Sequence, residues 1–267
     1  MSRRVATPAY AAAGANAARA PAGRTVLFLH GIGGNRDSFA AELPRLAGSW
    51  RALAWDMPGY GASPPVVPLT FEALARAVVA VLDAERSERA VLVGHSMGGM
   101  VAQETAARFP ERVSALVLFA TTAAFGGNDE RFKNEFLAQR LAPLDAGRTM
   151  PEIAADLTKG LFGPNPPEGA RRRAIASMGA IPAASYRAAL ECIVSFDRSD
   201  DLARIGCPTL VLSAEHDRLA PPRTMERMAA RIPGATYRRI PGAGHLANFE
   251  RPAAFAAALD EFLATLA

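Results

Sequence analysis

The sequence predicts an α/β fold in which a mostly parallel central sheet is flanked by helices and carries a helical cap insertion. Three observations predict it. Continuous apolar runs such as Val26-Leu27-Phe28-Leu29 and the stretch from Val113 to Ala120 read as strands buried on both faces. From residue 26 to residue 120 these runs alternate with segments of helical spacing, the rhythm of parallel strands joined by crossover helices. The rhythm stops at Phe125 and resumes at Cys207, with no buried strand between. The expected organisation is a core over residues 25–124 and 202–267 and a cap over 125–201. At 267 residues and 50% hydrophobic composition the chain is long enough for one large core.

Residues 1–24 are poorly patterned, with at most a short edge strand near Ala9 to Ala11 before a turn at Gly14-Ala15-Asn16. The Val26 strand empties into His30-Gly31-Ile32-Gly33-Gly34, a glycine-rich exit whose N–H groups are free to point into a cavity. Phe39, Leu43 and Leu46 give Asp37 to Leu46 a helical spacing, and Arg51 to Trp55 reads as the next strand. Its exit from Asp56 to Gly61 is rich in turn formers, which makes Asp56 a turn residue rather than a catalytic one. Thr70 is placed to cap a helix reaching Arg86, with Phe71, Leu74, Val78 and Leu82 on one face.

Val91-Leu92-Val93 then meets Gly94-His95-Ser96-Met97-Gly98, and a helix over Val101 to Arg108 ends at Phe109-Pro110. A strand, a Gly-X-Ser-X-Gly turn and a helix in that order form a nucleophile elbow. Glycines flank such a turn because a Cβ would collide with the neighbouring strand or helix, and the serine is held at positive φ. After the insertion, Cys207 to Ala214 and Thr236 to Ile240 read as strands. Pro252 to Leu266 reads as a helix with Phe255, Leu259 and Phe262 on one face.

A serine hydroxyl needs a base within hydrogen-bond reach and a third group to orient that base. Four histidines are present. His30 precedes the glycine loop, His95 lies inside the elbow and is expected to pack with its side chain directed away, and His216 adjoins Asp217. Only His245 sits on a late loop free to approach Ser96. The orienting acid is Asp217 at the exit of the Leu210 strand, with Glu215 as its rival; the exit at Thr121-Thr122-Ala123-Ala124 offers no carboxylate. In the insertion, Phe132, Phe136, Leu161, Phe162, Met178 and Ile181 are candidates to line a pocket.

From Val26 onward the chain resembles the α/β-hydrolase fold family, and within it the small bacterial esterases and the 3-oxoadipate enol-lactonase group. His30-Gly31 is similar to the family's oxyanion loop, Gly94 to Gly98 to its elbow, Glu215-His216-Asp217 to its acid loop and Gly244-His245 to its histidine loop, in the family's order of Ser, Asp, His. The resemblance implies that Ser96 is the nucleophile, His245 the general base and Asp217 its orienting partner. It also implies an oxyanion hole from the backbone N–H groups of Ile32 and Met97. The implied reaction is hydrolysis of a small-molecule ester or lactone through an acyl-enzyme. Carbon–carbon bond hydrolysis of meta-cleavage products and cofactor-free haloperoxidation share the triad. A non-catalytic ligand receptor and an acyltransferase are further alternatives. The family's opening pair of antiparallel strands is hard to find in residues 1–24.

No motif calls for a metal, nucleotide or flavin, so no cofactor is expected. The net charge of +4 comes from arginines interleaved with acids, and Arg171-Arg172-Arg173 and Arg238-Arg239 are too short to bind nucleic acid. Two cysteines without metal-ligand spacing suggest a reduced, cytoplasmic protein. Pro8, Tyr10, Gly14 and Asn16 break the Ala-rich start that follows Met1-Ser2-Arg3-Arg4, so no signal peptide is expected. Nothing approaches the run of about 18 apolar residues that spans a membrane. The sequence leaves the oligomeric state open.

Overall fold

The computed structural model describes residues 6–14 and 24–266. Seven strands form one sheet: β1 (Tyr10–Ala13), β2 (Thr25–Leu29), β3 (Arg51–Trp55), β4 (Ala90–His95), β5 (Val113–Phe119), β6 (Thr209–Ala214) and β7 (Thr236–Ile240). Their order is β1-β3-β2-β4-β5-β6-β7, parallel throughout except for β1, which runs antiparallel to β3 with Tyr10 opposite Trp55. The expected edge strand is therefore present, displaced by one to two residues. The expected turn at Gly14-Ala15-Asn16 continues outside the described residues, and Met1 to Arg4 lies wholly outside them.

Strands β2, β4 and β6 are buried along their whole length because each face of the sheet has its own apolar layer. Leu27 and Leu29 of β2 point into one cluster and Val26 and Phe28 into the other, as the two-residue period of a strand requires. The first layer is built with helices α2 (Phe71–Ala84) and α3 (Met97–Arg108) and with α8 (Pro222–Ala229). The second uses α1 (Glu42–Leu46) and α10 (Pro252–Ala264), where Phe255 packs on Phe119 at 5.0 Å between ring centroids. Thr70 caps α2 by accepting from the Ala73 N–H at 3.1 Å.

The single helix expected over Asp37 to Leu46 is instead a 3-10 turn at Arg36–Phe39 followed by α1. Pro44 explains the break. It has no N–H to bond the residue 40 carbonyl and its ring would strike that carbonyl, so the helix restarts where Pro44 falls in its first turn. Helix α8 was not expected from the sequence, although Pro222 opens it and Met225, Met228 and Ala229 make its buried face.

Between β5 and β6 lie four helices: α4 (Glu130–Asp145), α5 (Met150–Leu157), α6 (Ala170–Gly179) and α7 (Ala183–Ile193). They join the core through shared packing, with Ile153, Tyr186 and Leu190 in the same cluster as α2 and α3. A polar tie reinforces the join. Glu104 of α3, almost fully buried, accepts from Arg198 Nε at 2.6 Å and Nη2 at 2.9 Å and also pairs with Arg108. This forked geometry holds the carboxyl below the usual carboxylate range although burial alone would raise it. Glu104→Gln keeps the volume but leaves Arg198 and Arg108 short of a charged partner. It should lower the unfolding free energy by about 2 kcal/mol, read as a lower urea midpoint with an unchanged slope.

Candidate active site

β4 and α3 approach so closely at the elbow that Cβ atoms are excluded. A Cβ on Gly94 would overlap the backbone of Gly98 and Gly99, and one on Gly98 would overlap the Leu29 carbonyl. Ser96 between them takes φ 52° and ψ −120°, a conformation few L-residues adopt. Its backbone is pinned on both sides. The Ser96 N–H donates to the Phe119 carbonyl at 2.9 Å, and the Ser96 carbonyl accepts from Thr121 Oγ1 at 2.7 Å and from the N–H groups of Gly99 and Met100. Ser96 thus stands at the tip of the turn, at the N-terminus of α3, facing a cavity of about 360 Å³.

His245 lines the same cavity. Its ring Nδ1 donates to Asp217 Oδ2 at 2.8 Å, which turns Nε2 away from the acid. Asp217 is 3% exposed, and its other oxygen accepts from the N–H groups of Leu219 at 2.8 Å and Ala220 at 3.0 Å. Burial works to raise the Asp217 carboxyl, but the facing His245 and these donors hold it below its ordinary value. Glu215, the rival acid, is used elsewhere: it is 40% exposed and accepts from the Gly242 N–H at 2.7 Å.

Opposite the elbow, the loop after β2 packs directly on Ser96, since a Cβ on Gly31 would lie 2.8 Å from the Ser96 Cβ. The N–H groups of Ile32 and Met97 have no hydrogen-bond partner among the described residues. The loop is fixed from below by His30. Its Nδ1 donates to the Gly31 carbonyl at 2.8 Å while its Nε2 accepts from the Met57 N–H at 3.0 Å. Asp56 holds the neighbouring turn by accepting from the Arg36 and Ala62 N–H groups and pairing with Arg36 Nε at 2.9 Å, the turn role expected of it.

Two expectations about side chains need correction. His95 does pack, on Phe119 at 4.8 Å, but it is not directed away: its Nε2 donates to the His245 carbonyl at 2.9 Å, and it borders the cavity. Of the six pocket candidates, Phe132, Phe136, Leu161 and Met178 line the cavity, while Phe162 and Ile181 do not. Phe162 packs behind the wall against Ala170, Ala174 and Phe249, under the Arg171 guanidinium. Ile181, in the turn between α6 and α7, is buried in the core cluster. The cavity wall instead recruits Phe125, Tyr186, Leu190, Phe249 and two arginines, Arg140 and Arg218. Arg140 and Phe136 are four residues apart on α4, a spacing that places them on one helix face and could have shown the arginine's position.

A further residue, unremarked in the sequence, ties the site to the insertion. Glu250, 1% exposed on the short helix α9 (Ala247–Glu250), accepts from the Gly244 N–H and from the Gly163 N–H, each at 2.7 Å. The His245 N–H itself donates to the Leu161 carbonyl at 2.7 Å. The histidine loop and the 161–163 segment are therefore one hydrogen-bonded unit. Burial raises the Glu250 carboxyl above its ordinary value against the pull of its two donors.

Burial also drives two histidines to the neutral form, lowering His30 to about 4 and His95 to about 3 from an ordinary value near 6.5. For His30 the geometry adds to this, because a proton on Nε2 would face the Met57 N–H. Both groups bind a proton in the unfolded chain at a pH where the folded chain leaves them neutral. Their contribution to stability is therefore complete above about pH 6.5 and is lost as the pH falls toward 4. Glu42 and Glu250, whose carboxyls are raised, act with the opposite sign. The His30 part is isolated by difference. In His30→Gln the dependence of unfolding free energy on pH between about 5 and 6 should fall by about 1.4 kcal/mol per pH unit, one proton's worth, measured by urea titrations at each pH.

Comparison with known proteins agrees with this architecture. Residues 24–252 match the model of the alpha/beta hydrolase fold. The chain is 31% identical over 244 residues to the pimeloyl-[acyl-carrier protein] methyl ester esterase of Neisseria meningitidis serogroup A, covering 90% of this chain and 77% of that one. Among solved structures, a thermophilic esterase from Thermogutta terrifontis superimposes with a TM-score of 0.84 at 28% identity, over 97% of this chain and 93% of that one. The enol-lactonase from Burkholderia xenovorans LB400 gives 0.84 at 25% identity, over 96% of each chain. With the match spanning the sheet, the elbow and the histidine loop, the chain belongs to the alpha/beta hydrolase fold family.

Proposed function

We propose that this protein is a serine hydrolase that cleaves a carboxylic ester or lactone through an acyl-enzyme on Ser96. The observation that carries the proposal is the meeting of three features: Ser96 on a strained turn facing the cavity, His245 on the same cavity with the buried Asp217 at 2.8 Å behind it, and the Ile32 and Met97 N–H groups beside the serine, which have no partner among the described residues. Similarity to an esterase and an enol-lactonase supports the same class of bond.

In this reading Ser96 Oγ attacks the carbonyl carbon while its proton passes to His245 Nε2, the nitrogen that Asp217 leaves free. Asp217 fixes the ring and stabilises the imidazolium that forms. The carbonyl oxygen gains negative charge against the Ile32 and Met97 N–H groups, reinforced by the positive end of α3. Collapse of the tetrahedral species breaks the bond to the leaving alcohol, which takes the proton from His245. Water then repeats the sequence on the acyl-enzyme, releasing the acid and returning the proton to Ser96. Residues 125–201 serve as a cap whose helices close the cavity over the elbow. Excluding water there strengthens every electrostatic contact to the oxyanion.

Hydrolysis of a p-nitrophenyl ester series from acetate to decanoate tests the reading. Turnover should fall by at least about a thousandfold in Ser96→Ala, and Asp217→Asn, which disturbs the ring that Asp217 holds, should cost about a hundredfold or more. Mass spectrometry should find an acyl adduct on Ser96. Turnover that survives Ser96→Ala would remove the assignment.

A further inference from the structure

The cavity is apolar over most of its wall, yet two arginines line it and, among the described residues, none of its lining carries a carboxylate. The two differ in setting. Arg218 is exposed at the mouth, next to Asp217 in the chain. Arg140 is half-buried on α4, with its guanidinium 5.5 Å from the centroid of the Phe136 ring, itself part of the wall. The Phe125, Phe132 and Phe136 rings pack together around this point, with centroids 4.7 to 6.4 Å apart. The same guanidinium charge reaches the Tyr186 phenol, which also faces the cavity.

The neighbours of Arg140 sharpen the contrast. The other basic residues of α4 each have an acid, Arg131 with Glu135 and Lys133 with Glu130, both at 2.8 Å. Arg140 has Phe136 and Leu137 on the preceding turn and Pro143 and Leu144 on the following one, and its guanidinium makes no ion pair or hydrogen bond among the described residues. A guanidinium stays charged at every accessible pH, and holding one on an apolar wall without a counter-ion is unfavourable. A ligand that brings the missing anion recovers that cost, and a carboxylate fits the planar fork through two parallel N–H donors.

We propose that Arg140 is the anion subsite of this cavity, and that the preferred substrate is an ester or lactone bearing a free carboxylate on the part that lies against α4. The proposal deepens the esterase reading and rests on it for the word substrate, but the subsite itself is testable by binding alone. The aromatic cluster receives the methylenes between the reacting carbonyl and the carboxylate, and the guanidinium receives the charge.

The experiment uses full-length Ser96→Ala protein, so that no ester is consumed, and titrates it calorimetrically with monomethyl adipate and dimethyl adipate, which differ at one end in a charge and a methyl group. The half-ester should bind about ten- to a hundredfold more tightly, the range of a charge-assisted hydrogen bond in a partly dry site. The preference should collapse toward unity with Arg140→Gln added and return in part with Arg140→Lys. Equal binding of the two esters, or a preference that Arg140→Gln leaves intact, overturns the subsite. Thermal melting of the variants separates loss of the site from loss of the fold, and the Arg140→Lys titration decides the case if Arg140→Gln does not fold. A protein that prefers the half-ester yet shows no Ser96-dependent p-nitrophenyl ester hydrolysis keeps the subsite and loses the esterase reading.

Discussion

Everything at the site depends on the close crossing of β4, α3 and the loop after β2. Three glycines, Gly31, Gly94 and Gly98, let backbones meet where any side chain would overlap, and the strained Ser96 backbone is the result. Such a conformation costs on the order of 1–3 kcal/mol and persists only when its surroundings leave no alternative. Here the surroundings are the Phe119 carbonyl and the Thr121 hydroxyl, both from the exit of β5, which hold the Ser96 N–H and carbonyl. The exit itself is bent, with Ala120 at φ 46°, and Thr121 occupies the space a Cβ on Gly99 would need. The elbow is therefore a three-strand construction: β2 supplies the floor, β4 the serine and β5 the brace.

The second constraint lies across the cavity, where the histidine loop has little support of its own. A Cβ on Gly244 would strike Leu161, Phe162 and Gly163, so the loop and the end of the α5 segment share one surface. Glu250 bonds both, and the His95 side chain takes the His245 carbonyl from below. The helical insertion thus does more than cover the cavity. It carries part of the scaffold that sets where the His245 ring stands, so substitutions near Gly163 and Gly244 act on that ring as well as on the cavity wall.

Much of this was legible in the sequence because the strongest signals are those that backbone geometry enforces. A strand buried on both faces must be apolar without interruption, which located β2, β3, β4 and β5 within a residue or two. The glycines of the elbow mark close approach, the scarcity of histidines on late loops singled out His245, and the family resemblance paired it with Asp217 over its rival Glu215. The errors fall where an apolar side chain has several dry places to go. Phe162 and Ile181 are hydrophobic in the insertion, as Leu161 and Met178 are, but the Phe162 ring packs into a separate cluster with Ala170, Ala174 and Phe249, and Ile181 anchors the α6–α7 turn in the core. Periodicity cannot distinguish a wall facing a cavity from a wall facing a neighbouring helix. Glu250 was invisible for a related reason: its two donors, Gly163 and Gly244, are far apart in the chain and become neighbours only after the insertion docks.

The electrostatics of the cavity link these parts. Two of the chain's four histidines are held neutral by burial, each with its Nε2 already committed, His30 to the Met57 N–H and His95 to the His245 carbonyl. His245 alone among the three buried histidines has its Nδ1 on an acid and its Nε2 turned toward the serine's cavity. A second proton at His30 would face the Met57 N–H, and at both His30 and His95 a charged ring would sit in dry surroundings. With no carboxylate on the cavity wall among the described residues, the charge at Arg140 has no internal partner, and the field it leaves in the cavity favours a ligand that arrives negative at one end and neutral at the carbonyl.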